Sequence, residues 1–236
     1  MQKLLSRVRA AVQDYDMISD GDRIAVGVSG GKDSLVLLAS LSALRRFYPK
    51  KFDLVAITLD MQIMNEPGNF DEIRSYCESI GIPYIVKQTE LYNVIFNIRK
   101  EKNPCSLCAK MRRGILHDCC KELGCNKLAL GHHSDDAAET FMMNLLRGGH
   151  IGCFSPVSYL SRKDMYVIRP LIYCTETQIS AVAENLALPV MESSCPEDGN
   201  SERQSTKELL AGLEQDYPGL REKIITAMKN KSIDKW

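Results

Sequence analysis

The sequence predicts an α/β fold: an open, mostly parallel sheet of five strands, helices on both faces, and a small helical region at the C-terminus. Short β-branched runs alternate with stretches whose apolar residues recur at helical spacing. Glycines at 81, 124 and 148–149 close three of those stretches. The 236 residues are 44% hydrophobic and 25% charged, a composition that excludes disordered and collagen-like chains. A chain of that length buries roughly 70% of its unfolded surface and needs no disulfide or metal merely to fold.

In order, Arg23–Ser29 reads as the first strand, and a helix with Leu35, Leu38, Leu41 and Leu44 follows it. Asp53–Asp60 is the second strand. A helix over Phe70–Ile80 ends at Gly81, and Pro83–Val86 opens the third strand. After a linker, Cys108–Leu123 reads as a helix, Lys127–Gly131 as the fourth strand, and Asp135–Arg147 as a further helix. Met165–Arg169 supplies the fifth strand. Helices near Thr175–Leu186, Glu202–Glu214 and Pro218–Lys229 finish the chain. Residues 1–190 form the main domain and 191–236 a C-terminal helical segment, with one core expected.

Thirty basic and thirty acidic residues cancel, which excludes a uniformly basic nucleic-acid coat and leaves room for a local basic patch. Charges at Lys3, Arg7 and Arg9 interrupt any signal-peptide core. No apolar run reaches membrane-spanning length. Nine cysteines without an export signal read as reduced thiols of a cytoplasmic protein, some of them candidate metal ligands.

The most specific feature is Ser29-Gly30-Gly31-Lys32-Asp33-Ser34, set between a strand and a helix. Paired glycines allow a sharp turn that aims backbone N–H groups at an anion, and the helix N-terminus and Lys32 add positive charge. A polyphosphate is the natural guest; a turn with no ligand is the plainer alternative. The spacing fits neither the Gly-x4-Gly-Lys-Ser/Thr loop nor the Gly-x-Gly-x-x-Gly fingerprint.

This hexapeptide resembles the pyrophosphatase loop of the N-type ATP-pyrophosphatases. The resemblance implies a Rossmann-like sheet of the adenine nucleotide alpha hydrolase type and cleavage of ATP between its α and β phosphates. It implies that residues 29–34 cradle the phosphates, that nearby carboxylates help hold magnesium, and that Asp60 lies near the nucleotide. Lys32 and Asp33 take catalytic roles on the same basis.

Gly131-His132-His133-Ser134-Asp135-Asp136 also falls at a strand's carboxyl end, the edge that faces the ligand crevice of a parallel sheet. Ser134 or Asp135 suits a helix cap. The segment resembles the second signature of the tRNA thiolation branch, which implies nucleotide contact from Gly131 and His132 and a catalytic role for Asp135. Relatives often carry Arg where Ser134 stands.

Cys105-Ser106-Leu107-Cys108 has three readings from its residues alone. A redox motif would need a different strand context, zinc would want a second pair, and an iron–sulfur site needs thiolates from two segments. Cys195 is an available distant partner. Neighbouring Lys102, Lys110, Arg112 and Arg113, with the helix N-terminus, are expected to lower the thiol pKa values. Cys77, Cys119, Cys120, Cys125, Cys153 and Cys174 read as structural. The basic stretch is either a solvated helix face or, with Lys102, Lys110, Arg112 and Arg113, an RNA phosphate rim.

Taken with Arg112–Leu116, Leu130–His133, Ile168–Leu171 and the run from 200 to 204, the cysteine pair is similar to the tRNA 2-thiocytidine synthetase (TtcA-like) family. The family's second Cys-x-x-Cys is reduced here, because Glu192 stands at its first position and only Cys195 remains. The resemblance implies a [4Fe–4S] cluster on Cys105, Cys108 and Cys195, with one iron left open for sulfur. It further implies ATP and magnesium as cofactors, tRNA as substrate, and a sulfur donor such as sulfide or a cysteine desulfurase persulfide. Homodimers are common among such relatives. The implied reaction adenylates O2 of cytidine 32 and replaces that oxygen with sulfur, releasing AMP and pyrophosphate.

Overall fold

A computed structural model describes residues 1–100, 104–192, 195–196 and 202–236. Its strands are β1 (Asp22–Gly27), β2 (Phe52–Asp60), β3 (Tyr84–Gln88), β4 (Lys127–Ala129), β5 (Val157–Leu160) and β6 (Met165–Ile168). They form one sheet in the order β3-β2-β1-β4-β6-β5. Every neighbouring pair is parallel except β5 and β6, which make an antiparallel hairpin. The expected fifth strand is therefore β6, and β5 is an additional sixth. It is a four-residue edge strand with Tyr159 half in solvent, too short and too weakly alternating to stand out in the sequence.

The helices are α1 (Gln2–Asp14), α2 (Lys32–Arg45), α3 (Asp71–Ser79), α4 (Pro104–Glu122), α5 (Ser134–Gly148), α6 (Glu176–Asn185), α7 (Glu202–Asp216) and α8 (Leu220–Asn230). Side chains alternate across the sheet as the pleat requires. Ile24, Val26, Leu54 and Ala56 point to the face covered by α1, α2 and α6, where Val8, Leu38, Leu41 and Ile179 are fully buried. Ala25, Val55, Ile57 and Leu128 point to the other face, against Cys119 and Cys120 of α4. Those two cysteines are core residues, as their helical positions suggested. Cys77 and Cys174 are buried in the first core and Cys125 in the second.

Helix α1, absent from the sequence reading, buries Leu4, Val8, Ala11 and Val12 on one stripe. Helices α7 and α8 pack on α5 through Ala138, Leu210 and Ile224, while Met228 and Trp236 join the principal core. Segment 202–236 is thus built onto the same body. No helix among the described residues is long and apolar enough to cross a membrane.

The sheet edge away from the ligand crevice is closed by polar groups. Lys127 Nζ lies 2.7 Å from Asp22 Oδ2 and donates to the Met17 carbonyl at 2.9 Å. Asn126 Nδ2 donates to Asp22 Oδ1 at 2.7 Å, and the backbone N–H of Arg23 donates to Asn126 Oδ1 at 3.0 Å. At the opposite edge, the chain leaves β1 toward β2 on one side and enters β4 on the other. Such a reversal of strand order opens a crevice at the carboxyl ends.

Candidate active site

The turn after β1 and the turn after β4 meet in that crevice. Val28 keeps one sheet bond to the Ile57 carbonyl, after which the chain breaks away. The Ser34 hydroxyl donates to the Gly31 carbonyl at 2.8 Å and accepts from the Ser29 N–H at 3.1 Å, so the hexapeptide is tied across its own mouth. Gly30 has φ +89°, a conformation that side-chain-bearing residues rarely adopt. Gly31 leads into α2, placing Lys32 and Asp33 in its first turn.

Gly131 is required by proximity. A Cβ there would stand 3.0 Å from the Asp33 carbonyl carbon and 3.1 Å from the Ser34 nitrogen. The two turns therefore touch backbone to side, and the six residues of the first turn, Gly131 and His132 share one locality. Helix α5 is capped differently from expectation: His133 is its N-cap, and its N–H donates to Asp136 Oδ2 at 3.0 Å. Ser134 is the wrong cap because its hydroxyl donates to the Cys174 carbonyl at 2.7 Å, anchoring the helix start to the segment after β6.

His133, not singled out from the sequence, is the buried centre of an acidic group. Its Nε2 lies 3.5 Å from Asp136 and 3.9 Å from Asp33, and its Nδ1 lies 3.6 Å from Asp135. Burial works against the imidazolium, yet Asp135, Asp136 and Asp33 outweigh it and raise the pKa. Burial also pushes the Asp33 carboxyl up, against the pull of His133 and Lys32. Asp33 Oδ1 is buried with no hydrogen-bond partner among the described residues. Asp135 runs the other way. Burial raises its pKa, but His133, the Glu176 N–H at 2.8 Å and Arg221 lower it further.

His132 sits beside the Phe154 ring, centroids 4.9 Å apart, and the Arg169 guanidinium lies 5.0 Å from the centroid of that same ring. Burial first, then the Arg169 charge, hold His132 neutral with its pKa at about 4. Arg169 donates to the Ser155 carbonyl at 2.6 Å. Asp60, at the end of β2, is buried and accepts from the N–H groups of Gln62 at 3.0 Å and Gly68 at 3.2 Å. Its carboxylate thus shapes the 61–68 loop, beside a cleft of about 700 Å³ also lined by Arg74 and Lys87.

Both cysteine segments adjoin this edge. Cys105 and Cys108 lie in the first turns of α4, which begins at Pro104 and not at Cys108. Cys108 Sγ is 3.9 Å from the sulfur of Met61, the residue that follows β2. Met191, four residues before Cys195, donates its N–H to the Gly30 carbonyl at 3.0 Å. Burial raises the Cys108 thiol pKa; Arg112 opposes it, and Cys195 and Cys105 add to it. The expected lowering is overturned at Cys108, because desolvation outweighs its cationic neighbour. Among the described residues, no set of three or more His, Cys, Asp or Glu side chains is drawn together as a formed metal site.

Cys153 is half-buried, and its thiol donates to the Ala137 carbonyl at 3.4 Å, in keeping with a structural role. Lys110 and Arg113 are exposed on α4, with Arg113 turned back onto the Ala109 carbonyl at 3.1 Å, while Arg112 is half-buried. Lys102 lies outside the described residues.

Comparison with known proteins agrees with this architecture. The PP-loop domain family matches residues 2–210. A tRNA-cytidine(32) 2-sulfurtransferase of Dechloromonas aromatica is 42% identical over 229 residues, covering 96% of this chain and 79% of the relative. The solved U34-tRNA thiolase NcsA of Methanococcus maripaludis, with its [4Fe-4S] cluster, superposes with a TM-score of 0.78 at 28% identity, covering 97% of this chain and 78% of that one. An NH3-dependent NAD synthetase of Campylobacter jejuni shares the fold at 17% identity and a TM-score of 0.52, covering 97% of this chain and 92% of its own. On the matched turn, the sheet order and the identity to these relatives, the chain belongs to the PP-loop family of enzymes that includes the tRNA-cytidine(32) 2-sulfurtransferases.

Proposed function

We propose that this protein thiolates tRNA, adenylating O2 of cytidine 32 with ATP and exchanging that oxygen for sulfur. One observation carries the reading. Both cysteine segments abut the carboxyl edge that holds the glycine–lysine turn, one through Met61 and the other through the Met191–Gly30 bond. An activated base held at the turn would then lie within reach of delivered sulfur.

In this reading Ser29, Gly30, Gly31 and Ser34 present N–H and hydroxyl groups to the β and γ phosphates. Lys32 stabilises the charge that develops on the bridging oxygen as pyrophosphate leaves. The cytidine O2 attacks the α phosphorus, forming an adenylate. Sulfide then adds at C2 and AMP departs with the former O2. The sum is cytidine, ATP and sulfide giving 2-thiocytidine, AMP and pyrophosphate. Asp33 Oδ1, buried with no hydrogen-bond partner among the described residues and 3.5 Å from Lys32 Nζ, suits a magnesium ion accompanying the triphosphate. Asp135 favours the protonated form of His133 beside the phosphates, and Gly131 and His132 border the nucleotide. Asp60 organises the loop next to it. Lys110, Arg112 and Arg113, with Lys102, supply an RNA phosphate rim.

Three thiols from two segments are the donor set of an iron–sulfur centre with one position left open. Cys105, Cys108 and Cys195 would hold it, and when bound it supplies a Lewis-acidic iron that can carry sulfide. The neighbour that acts on U34 supports a second reading, uridine thiolation by the same steps.

Nucleoside analysis of total tRNA tests both. Deleting the gene removes 2-thiocytidine; the wild-type gene restores it, and Lys32→Met, Cys105→Ser, Cys108→Ser and Cys195→Ser do not. Loss of a 2-thiouridine instead selects the second reading. Unchanged thionucleosides refute both.

A further inference from the structure

Glu176, the first residue of α6, holds two ammonium groups on one carboxylate. Its Oε1 lies 3.1 Å from Lys32 Nζ and 2.8 Å from Lys207 Nζ, and its Oε2 lies 2.7 Å from Lys207 Nζ. Lys32 belongs to the glycine–lysine turn. Lys207 comes from α7, close to the other end of the chain. One helical turn earlier on the same face of α7, Arg203 lies 3.5 Å from Asp136 and donates to the Thr140 hydroxyl at 3.0 Å. Thr206 and Leu210, neighbours on the same side of the helix, are buried where α7 rests on α5, so Arg203 and Lys207 line the edge of that contact.

A carboxylate gripped by two lysines at the mouth of an anion-binding turn has the charge and the paired oxygens of a phosphate edge. The side chains of Lys32, Glu176 and Lys207 are each about a third exposed, so a solute reaches all three. A triphosphate carries several charges against the single charge of Glu176. Both ammonium groups therefore gain by exchanging the carboxylate for phosphate oxygens.

We propose that Lys207 is a second polyphosphate-binding lysine and that Glu176 is an internal anion which the phosphates of ATP displace. The proposal rests on the nucleotide reading of the turn and extends it: α7, from the C-terminal segment, completes the phosphate site.

The test is equilibrium binding to the full chain, with magnesium, of the α,β-methylene analogue of ATP and of AMP. Only the first offers β and γ phosphates. Lys207→Met is expected to weaken the analogue about tenfold, the scale of one charged hydrogen bond, and to leave AMP unchanged. Lys207→Arg keeps most of the analogue affinity, and Glu176→Gln, which frees both lysines, tightens it. Equal loss of AMP and analogue in Lys207→Met, or no loss of either, overturns the second lysine. Weaker analogue binding in Glu176→Gln overturns the displaced anion. A wild-type chain that binds neither compound refutes the nucleotide reading itself, an outcome distinct from wild-type binding with an unaffected Lys207→Met.

Discussion

His132 and His133 are adjacent in the chain and driven in opposite directions. His132 faces Phe154 and the Arg169 charge, while His133 is ringed by Asp33, Asp135 and Asp136. Nuclear magnetic resonance of the imidazole C–H groups, assigned with His132→Asn and His133→Asn, should give His132 a midpoint at about 4 and His133 one above its ordinary 6.5. The reverse order would refute the described environments. For stability the sign follows from linkage. A raised folded pKa means that His133 contributes fully below pH 6.5 and loses that contribution as pH rises through the raised value. His133→Asn should therefore flatten the pH dependence of thermal unfolding above pH 6.5. The residue pattern identified the turn, Gly131 and the cysteine pair, because each has distinctive chemistry at distinctive spacing. It could not foresee the opposite behaviour of His133 and His132, since burial weighs on both and only the charges that the fold brings around each distinguish them. Glu176 and Lys207 looked like ordinary helix-surface charges, because 31 residues separate them and only the tertiary fold brings them together.

At the scale of elements, the contact between the two turns is the most exacting feature. Gly131→Ala forces a Cβ to 3.0 Å from backbone that cannot swing aside, an overpacking expected to cost about 1–3 kcal/mol. Melting temperature and nucleotide affinity should fall together. Gly114→Ala, whose new methyl meets nothing within 4 Å, should leave both unchanged or raise stability slightly. Equal effects from the two substitutions would refute the close approach. Elements with strong periodicity, such as β1, β2 and α2, were legible within a few residues. Helix α1 escaped because its first residues were weighed only as an export signal, which Lys3, Arg7 and Arg9 exclude, and not for the helical stripe of Leu4, Val8, Ala11 and Val12. Strand β5 escaped because an exposed four-residue edge needs only weak alternation.

On the scale of the whole molecule, the C-terminal residues act at a distance from their own helices. Trp236 is buried in the principal core, and its indole donates to the Phe154 carbonyl at 2.9 Å, while Asp234 accepts from the Cys153 N–H at 2.7 Å. These bonds hold the segment on which His132 leans. Trp236→Ala should cost about 3–5 kcal/mol, lower the melting temperature by about 10 °C, and raise the His132 midpoint as Phe154 loosens. A melting temperature within a degree or two of wild type would refute that anchoring. The C-terminal segment shares its packing with the rest of the chain, since Met228 and Trp236 complete the core begun by Val8 and Leu38.

The buried pair of Asp22 and Lys127 lies at the far end of β1 and β4 from all of this chemistry, yet it sets the gauge for it. Sliding one strand past the other by a single residue would strand the Lys127 ammonium without its acid, and would also offset Gly131 from Asp33 by about 3.3 Å. A charge pair on the quiet side of the molecule thus acts as a vernier, fixing how closely two distant turns can close on a guest.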